Sequence, residues 1–558
     1  MQNKWDEAQE NLRNCVKKGL LALGGSPEDI DQLKIEFNIP PRDIGSDIST
    51  NAALPAAKPL RKKPRDIAET IIEHLKESEE LDPESLSIQG PGFINANWSD
   101  KLLKEVLEDI LSEKENYGFS QKHKGEKVQI EFVSANPTGP LHIGHARGAI
   151  VGDTLSRMLG AIGYEISKEY YYNDAGVQME TLGLSTQARY LELLGKPNKF
   201  PENGYKGDYI VDIAKNIVEE KGDSLAEIND YKPFTEIAAG VLMEEINKDL
   251  HALGIDFDSY FSETSLHESG EVDRVIEDLK KCGAVYEKDG AWWLASTKWD
   301  DEKDRVVVKS DGNYTYLTPD IAYHRTKFDR GYDLLITLLG GDHHGYLPRL
   351  KAAMAALGYP VEKLVYILLQ MVNLKKGDAN IKLSTRSGDF LDLSTMINEL
   401  GSDVTRYFFL QRSPEAQMVF DYELAKTNSP ENPVFYLQYL HARICSVERV
   451  AKDTGIDPDY DLPLKLDKVV TPESRELLVQ SLQFPKVVMD SAERLQPQVL
   501  TSFLESYAKC FHSFYHIQRV VIPEDPEGSA QRLQLVRGIG TVIRNGLGLL
   551  GVSAPEKM

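Results

Sequence analysis

His142 and His145 stand three residues apart in the stretch Ala135 to Gly148, ANPTGPLHIGHARG, with Gly139 and Gly144 beside them. Two imidazoles spaced this way at the start of a helix can face one ligand, and the glycines let that ligand approach the backbone. A helix N-terminus adds unpaired N–H groups and the positive end of a dipole. The set suits an anion. Imidazoles there can donate to phosphate oxygens and stabilise charge that grows during phosphoryl or nucleotidyl transfer. A pair of histidines alone is more often structural, but small neighbours at a strand–turn–helix junction favour a nucleotide site. A second group, Asp342, His343 and His344, follows the buried-strand run DLLITLLGG. These residues could ligate a metal, yet no third ligand stands nearby in a helical frame, so protein-bound zinc is not expected.

A parallel α/β layer must hold these residues. KVQIEFVSAN alternates apolar and polar residues like a strand, and NPTGP is a turn. LHIGHARGAIVGDTLSRMLGAIGY has helical spacing, and EISKEYYYND is a second strand. Such a unit implies a parallel sheet, with the ligand at the carboxyl end of the first strand and the amino end of the helix. Strand signals return at VVVKS, YTYLT, DLLITLLGG and VYILLQMVNL. Between them, roughly residues 185–285 are acidic and helical in pattern, like an insertion. The expected catalytic domain is therefore α/β and spans 126–400. Residues 1–125 read as a separate α+β module carrying a basic loop, Lys58, Arg61, Lys62, Lys63 and Arg65, with no acid among them. Residues 401–558 read as an all-α bundle.

The 558 residues carry a formal charge of -23, which argues against a histone-like polyanion binder. The acid is concentrated, however: residues 66–114 sum to -9 and 201–280 to -13, so the remainder is close to neutral. Local RNA contact stays open. No apolar run approaches the roughly 18 residues of a membrane span, and the polar start MQNKWDEAQENLRN has no signal-peptide core. Cys15, Cys282, Cys445 and Cys510 lie far apart, which fits a reducing cytoplasm rather than a disulfide framework.

LHIGHARG resembles the HIGH signature of class I aminoacyl-tRNA synthetases, and the longer frame EFVSANPTGPLHIGHARGAIVGD resembles its arginyl-tRNA synthetase form. EYYYNDAGVQM, YLTPDIAYHRTKF, GGDHHGYLPRL, IKLSTRSGDF and NPVFYLQYLHARICS follow in matching order, and the resemblance runs from about residue 45 to 558. It implies a Rossmann-like class I catalytic domain with a helical insertion, an N-terminal domain that contacts the tRNA elbow, and a helical anticodon-binding domain. It implies ATP, L-arginine and tRNA(Arg) as partners, with Mg²⁺ arriving on ATP, and neither DNA nor membrane. A cytoplasmic monomer is the expected form.

The resemblance also assigns residues. His142 and His145 would contact ATP phosphates, Gly144 would leave room for adenine, and Gly139, Asp342 and His343 would lie near ATP. Lys382 and Ser384 match the KMSKS loop, here KLSTR, whose second lysine is replaced by Thr385. Arg386, or Lys375 and Lys376, could supply the missing charge. Glu131, Asn136, Tyr316 and Asp320 would hold arginine, Asp320 pairing with the guanidinium. Glu131 lies in an apolar strand where an unpaired carboxylate is costly, and either a cationic substrate or a protein arginine would satisfy it. On the RNA side Lys58, Arg61, Lys62 and Lys63 are candidates, as are Tyr436, Gln438, Tyr439, His441 and Arg443; Phe435, Phe511 and Phe514 are expected in the core. Two rivals stay open: another class I synthetase, and a tRNA-binding paralogue without activity. Carboxylates in the substrate site fit a glutamyl enzyme poorly, and the absence of a cysteine cluster fits a cysteinyl enzyme poorly.

Overall fold

The computed structural model describes residues 3–174, 176–376, 379–381, 392–456 and 462–558. At the N-terminus, helix Lys4–Ala22 starts at Asn3, whose side chain accepts from the Asp6 N–H. Its stripe Trp5, Ala8, Leu12, Val16 and Leu20 is buried, as is the stripe Ile67, Ala68, Ile71 and Leu75 of helix Pro64–Leu75 packed beside it. A four-stranded antiparallel sheet completes the module, in the order Phe37–Asn38, Ile48–Thr50, Phe93–Ala96, Ser87–Gln89. The basic run, expected as a loop, is the end of helix Ala53–Leu60 and the start of Pro64–Leu75. All five bases are exposed, and Arg61 adopts the left-handed conformation (φ 51°) at the bend.

The central layer contains β1 (Lys127–Glu131), α1 (Ile143–Ala161), β2 (Glu165–Tyr172), β3 (Ser259–Ser262), α2 (Leu317–Asp329), β4 (Leu334–Gly340) and β5 (Leu364–Leu369). The strands run parallel in the order β5-β4-β1-β2-β3. From β1 the chain winds to one side through β2 and β3, then returns on the other side as β4. A crevice opens where the winding reverses, between the carboxyl ends of β1 and β4. Three helices, Val177–Leu193, Asp208–Lys221 and Lys232–Ala252, close around a core of their own that includes Leu182, Tyr190, Ile213, Phe234 and Leu242. The stretch 185–285 is not one insertion, because β3 within it pairs with β2, Tyr260 beside Tyr170. Four residues are too few for a strand period to stand out against helices on both sides. YTYLT is not a strand either: Tyr314 bridges Val308, and α2 begins at Leu317, with Pro319 in the first turn where backbone N–H groups need no intrahelical partner.

The C-terminal bundle comprises α3 (Pro433–Asp453), α4 (Arg475–Glu493), α5 (Pro497–Ile517) and α6 (Pro526–Leu549). α6 runs through its middle, burying Leu533, Val536, Ile539, Ile543 and Leu547. The stretch after residue 400 is not purely helical, since Met418–Asp421 pairs in parallel with Val372–Lys376. Arg406, fully buried on helix Ser402–Leu410, ties three regions together. Its guanidinium donates to Asp153 on α1 (2.7 Å), to the Leu253 carbonyl (3.0 Å) and to the Leu550 carbonyl beyond α6 (3.0 Å). Among the described residues no helix is long and apolar enough to cross a membrane.

Candidate active site

The crevice is a cleft of about 1110 Å³ lined from β1, α1, α2, β4 and β5. At one side α1 begins. His142 is its N-cap: Nδ1 accepts from the Gly144 N–H (3.1 Å), while Nδ1 of His145 accepts from the His142 N–H (3.3 Å). The rings stack at 3.8 Å. Burial lowers the pKa of both, that of His145 to about 3 with His142 adding to the effect. Both imidazoles are therefore neutral near pH 7. With Nδ1 accepting in each, the ring hydrogen sits on Nε2 of both imidazoles. A Cβ on Gly144 would lie 2.9 Å from the His142 ring, so only glycine lets the pair stack. Further along α1, a Cβ at Gly152 would lie 2.2 Å from Phe132, so glycine also lets α1 lie close to the end of β1.

Beyond Glu131 the chain turns through two left-handed residues, Val133 (φ 67°) and Ser134 (φ 43°). This conformation is costly for a β-branched valine, and both residues line the cleft. The turn brings the Ser134 hydroxyl to Oε1 of Glu131 (3.0 Å). The other carboxylate oxygen, Oε2, accepts from Lys327 of α2 and from Thr337 of β4 (3.4 Å). Lys327 is 0% exposed and Glu131 5%. The partner expected for Glu131 was a substrate cation or a protein arginine; it is instead a lysine carried by α2.

Asp320 lies one side of the same floor. The Tyr346 hydroxyl donates to its carboxylate, and among the described residues it forms no ion pair. Burial, together with the charges of Glu263 and Glu131, raises its pKa to about 7 against the pull of the Tyr346 hydroxyl and Lys327. Asp342 and His343 stand at the cleft rim, where His343 meets Tyr346 edge-on.

Other expected residues lie elsewhere. Asn136 is outside the lining, donating to Gln178 (2.8 Å) and accepting from the Asn173 N–H (3.0 Å). Gly139 faces Tyr209 rather than the cleft, and Tyr316 is 86% exposed beyond it. Lys382, Ser384, Thr385 and Arg386 lie outside the described residues. Lys375 is committed to Asp421 (3.0 Å), and neither lysine nor arginine is among the described residues that line the cleft. Ser134, His324, Lys327, Tyr346 and Tyr366 line or support the site without having been singled out. Three of them stand inside the quoted segments YLTPDIAYHRTKF and GGDHHGYLPRL, but their facing is a matter of tertiary packing.

At the bundle, Tyr439 and Arg443 remain at the surface. The Arg443 guanidinium lies over Tyr515 (4.5 Å) and Tyr439 (5.4 Å), at the edge of an 820 Å³ depression that also holds Arg449 and Arg519. Tyr436 packs against His512 (4.4 Å between rings). Gln438 and His441 are turned inward instead: Gln438 donates to Asp403 (2.7 Å) and Ser553, and His441 is buried beside the Pro555 carbonyl (3.0 Å). Both hold the C-terminal tail. Phe511 and Phe514 are core residues, whereas Phe435 is half-buried and stacks on Tyr439.

Residues 8–97 match the family model "Arginyl tRNA synthetase N terminal domain", 106–407 "tRNA synthetases class I (R), catalytic domain", and 437–558 "DALR anticodon binding domain". The chain is 44% identical to the arginine–tRNA ligase of Shouchella clausii over 559 residues, covering 100% of both chains. It is 42% identical to that of Bacillus subtilis, covering 99% of each. The solved arginyl-tRNA synthetase of Thermus thermophilus shares the fold, with a TM-score of 0.73 at 22% identity over 98% of this chain and 99% of that one.

Proposed function

The chain belongs to the arginyl-tRNA synthetases of class I, and from that premise we propose how its residues share the work. The reaction is the ATP-dependent attachment of arginine to tRNA(Arg). An oxygen of the arginine carboxylate attacks the α-phosphorus in line, and the bond to the pyrophosphate breaks. A hydroxyl of the terminal adenosine of tRNA then attacks the activated carbonyl, and AMP leaves. The protein supplies position and charge.

His142 and His145 donate their Nε2–H groups to phosphate oxygens in the first transition state, as neutral donors fixed by backbone bonds at α1. Gly144 admits the nucleotide, and Asp342 and His343 take its ribose side. Mg²⁺ enters as part of the ATP substrate, bound mainly by phosphates. Lys382 and Ser384 act on the ATP phosphates, and Arg386 or Lys376 supplies the positive charge for the pyrophosphate. Asp320 receives the guanidinium; Glu131, with its charge met by Lys327, shapes the floor beside it, Asn136 contacts the α-amino end and Tyr316 helps to hold the substrate. Lys58, Arg61, Lys62 and Lys63 meet the tRNA elbow, and Tyr439, Arg443 and Tyr436 meet the anticodon region. The enzyme acts as a monomer, and in the cytoplasm, a setting that four scattered free cysteines support.

One observation carries the choice of substrate: Asp320 is a buried carboxylate that forms no ion pair among the described residues, whereas Glu131 forms one with Lys327. The test is arginine-dependent ATP–pyrophosphate exchange with tRNA present. Asp320→Asn should raise the KM for arginine by tenfold or more, about the loss of one charge-assisted hydrogen bond, while the KM for ATP stays put. An unchanged arginine KM rejects the assignment.

A further inference from the structure

Among the described residues that line the cleft, two buried polar atoms have no hydrogen-bond partner: Nε2 of His324 and the hydroxyl of Tyr366. Their rings are 6.1 Å apart, and His324 stands one helical turn after Asp320 on α2. His324 is 5% exposed. Its Nδ1 lies 2.9 Å from the Asp320 carbonyl oxygen, which can only accept, so Nδ1 carries the ring hydrogen. Burial, reinforced by nearby Lys327, holds the imidazole pKa well below its ordinary value. The ring is therefore neutral, and Nε2 is a buried lone pair without a partner on a residue that lines the cleft. A buried acceptor left without a donor is destabilising, so one beside a cleft that takes a donor-rich ligand can be satisfied when that ligand binds.

We propose that Nε2 of His324 accepts a hydrogen bond from the substrate guanidinium and is a specificity-determining residue for arginine. The inference rests on the reading that Asp320 receives that group. A guanidinium offers only donors, in a planar fork. Two of its N–H groups can pair with the Asp320 carboxylate, which leaves others that must find acceptors once water is excluded. His324 Nε2 supplies one, and the oxygen of Tyr366 is placed to supply another. The same wall rejects citrulline, whose terminal C=O would set an acceptor against the His324 lone pair. A site whose buried polar groups are left unpaired by the wrong substrate discriminates far more strongly than an apolar pocket does.

The experiment uses the full-length enzyme in ATP–pyrophosphate exchange with tRNA present, comparing wild type, His324→Leu, His324→Gln and Asp320→Asn. Leucine removes the acceptor; glutamine offers its side-chain oxygen near the position of Nε2. His324→Leu should raise the arginine KM by about tenfold or more without moving the ATP KM, and His324→Gln should recover most of that loss. Thermal unfolding of each variant reports whether it folds. Should the leucine variant fail to fold, the glutamine variant carries the test: a near-wild-type arginine KM with citrulline still excluded supports the acceptor role, and an arginine KM raised in parallel with that of ATP overturns it. An arginine KM within twofold of wild type in His324→Leu also overturns it. Asp320→Asn separates the two readings: if it leaves the arginine KM unchanged, the guanidinium assignment itself has failed, whereas a raised KM there with an unmoved His324→Leu removes only the role of His324.

Discussion

Lys327 donates from α2 to Glu131 at the end of β1, and neither side chain reaches solvent to any useful extent. The pair joins the helix that carries Asp320 to the strand that leads to the α1 histidines, so the two ends of the cleft share one fixed floor. It also divides the labour of the acidic groups. Glu131 has a resident cation, whereas Asp320 forms no ion pair among the described residues.

A buried pair is expensive to break from one side, because the remaining charge has neither water nor partner. Lys327→Met should therefore destabilise the enzyme by about 3–5 kcal/mol. Adding Glu131→Gln should restore much of that, since the orphaned charge disappears. Urea unfolding of the two single variants and the double variant closes the cycle. Additive losses would mean that the two residues do not act as a pair.

The proton on Asp320 gives arginine binding a pH dependence with a definite sign. Burial holds the Asp320 carboxyl at about 7, well above its ordinary value of 3.8. Below the ordinary value it is protonated in folded and unfolded chains alike. As the pH rises from there to about 7, the unfolded chain loses its proton first, and the folded state loses stability. A guanidinium pairs with the ionised form, so binding below pH 7 must expel the proton. Arginine should bind more tightly at pH 8 than at pH 6, and calorimetry in buffers of different ionisation enthalpy should detect proton release at pH 6 only. Asp320→Asn should abolish both effects; a wild-type pH profile in that variant would place the titration elsewhere.

Pyrophosphate needs a cation that the described lining lacks. Lys375 is held by Asp421, which leaves Lys376 and Arg386 as the candidates on this segment. Pyrophosphate exchange in Arg386→Ala and Lys376→Ala should fall by about tenfold or more in at least one, the scale of a lost charged contact in the transition state. Lys375→Ala should be nearly silent by comparison. Wild-type exchange in both of the first two variants would put the compensating charge outside this loop.

The sequence made the order of the layers legible because HIGH-like spacing, a strand before it and a strand after it are local patterns. Apolar stripes such as Trp5 to Leu20 likewise declared their helices. β3 escaped, since a four-residue strand is recognised by its neighbour β2 and not by its own period. The site was legible in residue type but not in pairing. Glu131 could be seen to need a cation, but its supplier is 196 positions away in the chain. Gln438 and His441 look like RNA contacts by type and prove to be anchors for the tail, a distinction set by the fold of the last residues.

The tRNA surfaces separate by the physics of their contacts. Lys58, Arg61, Lys62, Lys63 and Arg65 form an exposed basic corner with no ion pair among the described residues; only Arg65 is engaged, donating to the Gly90 carbonyl (3.0 Å). Such bases bind phosphates by releasing counterions, so each contact adds a salt dependence of about -0.9 to the logarithmic slope on duplex RNA or DNA. Tyr439 works differently, as a stacking platform worth about 1–3 kcal/mol per base, with little salt dependence. Replacing Lys58, Arg61, Lys62 and Lys63 with glutamine should weaken tRNA binding and flatten its salt slope, while arginine binding measured without tRNA stays unchanged. Tyr439→Ala should weaken tRNA binding at every salt concentration by a similar factor and leave the slope intact. Filter binding of tRNA between 50 and 200 mM salt, about the range over which counterion release is read, compares the two directly. If the glutamine variant kept the wild-type slope, the basic corner would not be meeting phosphates.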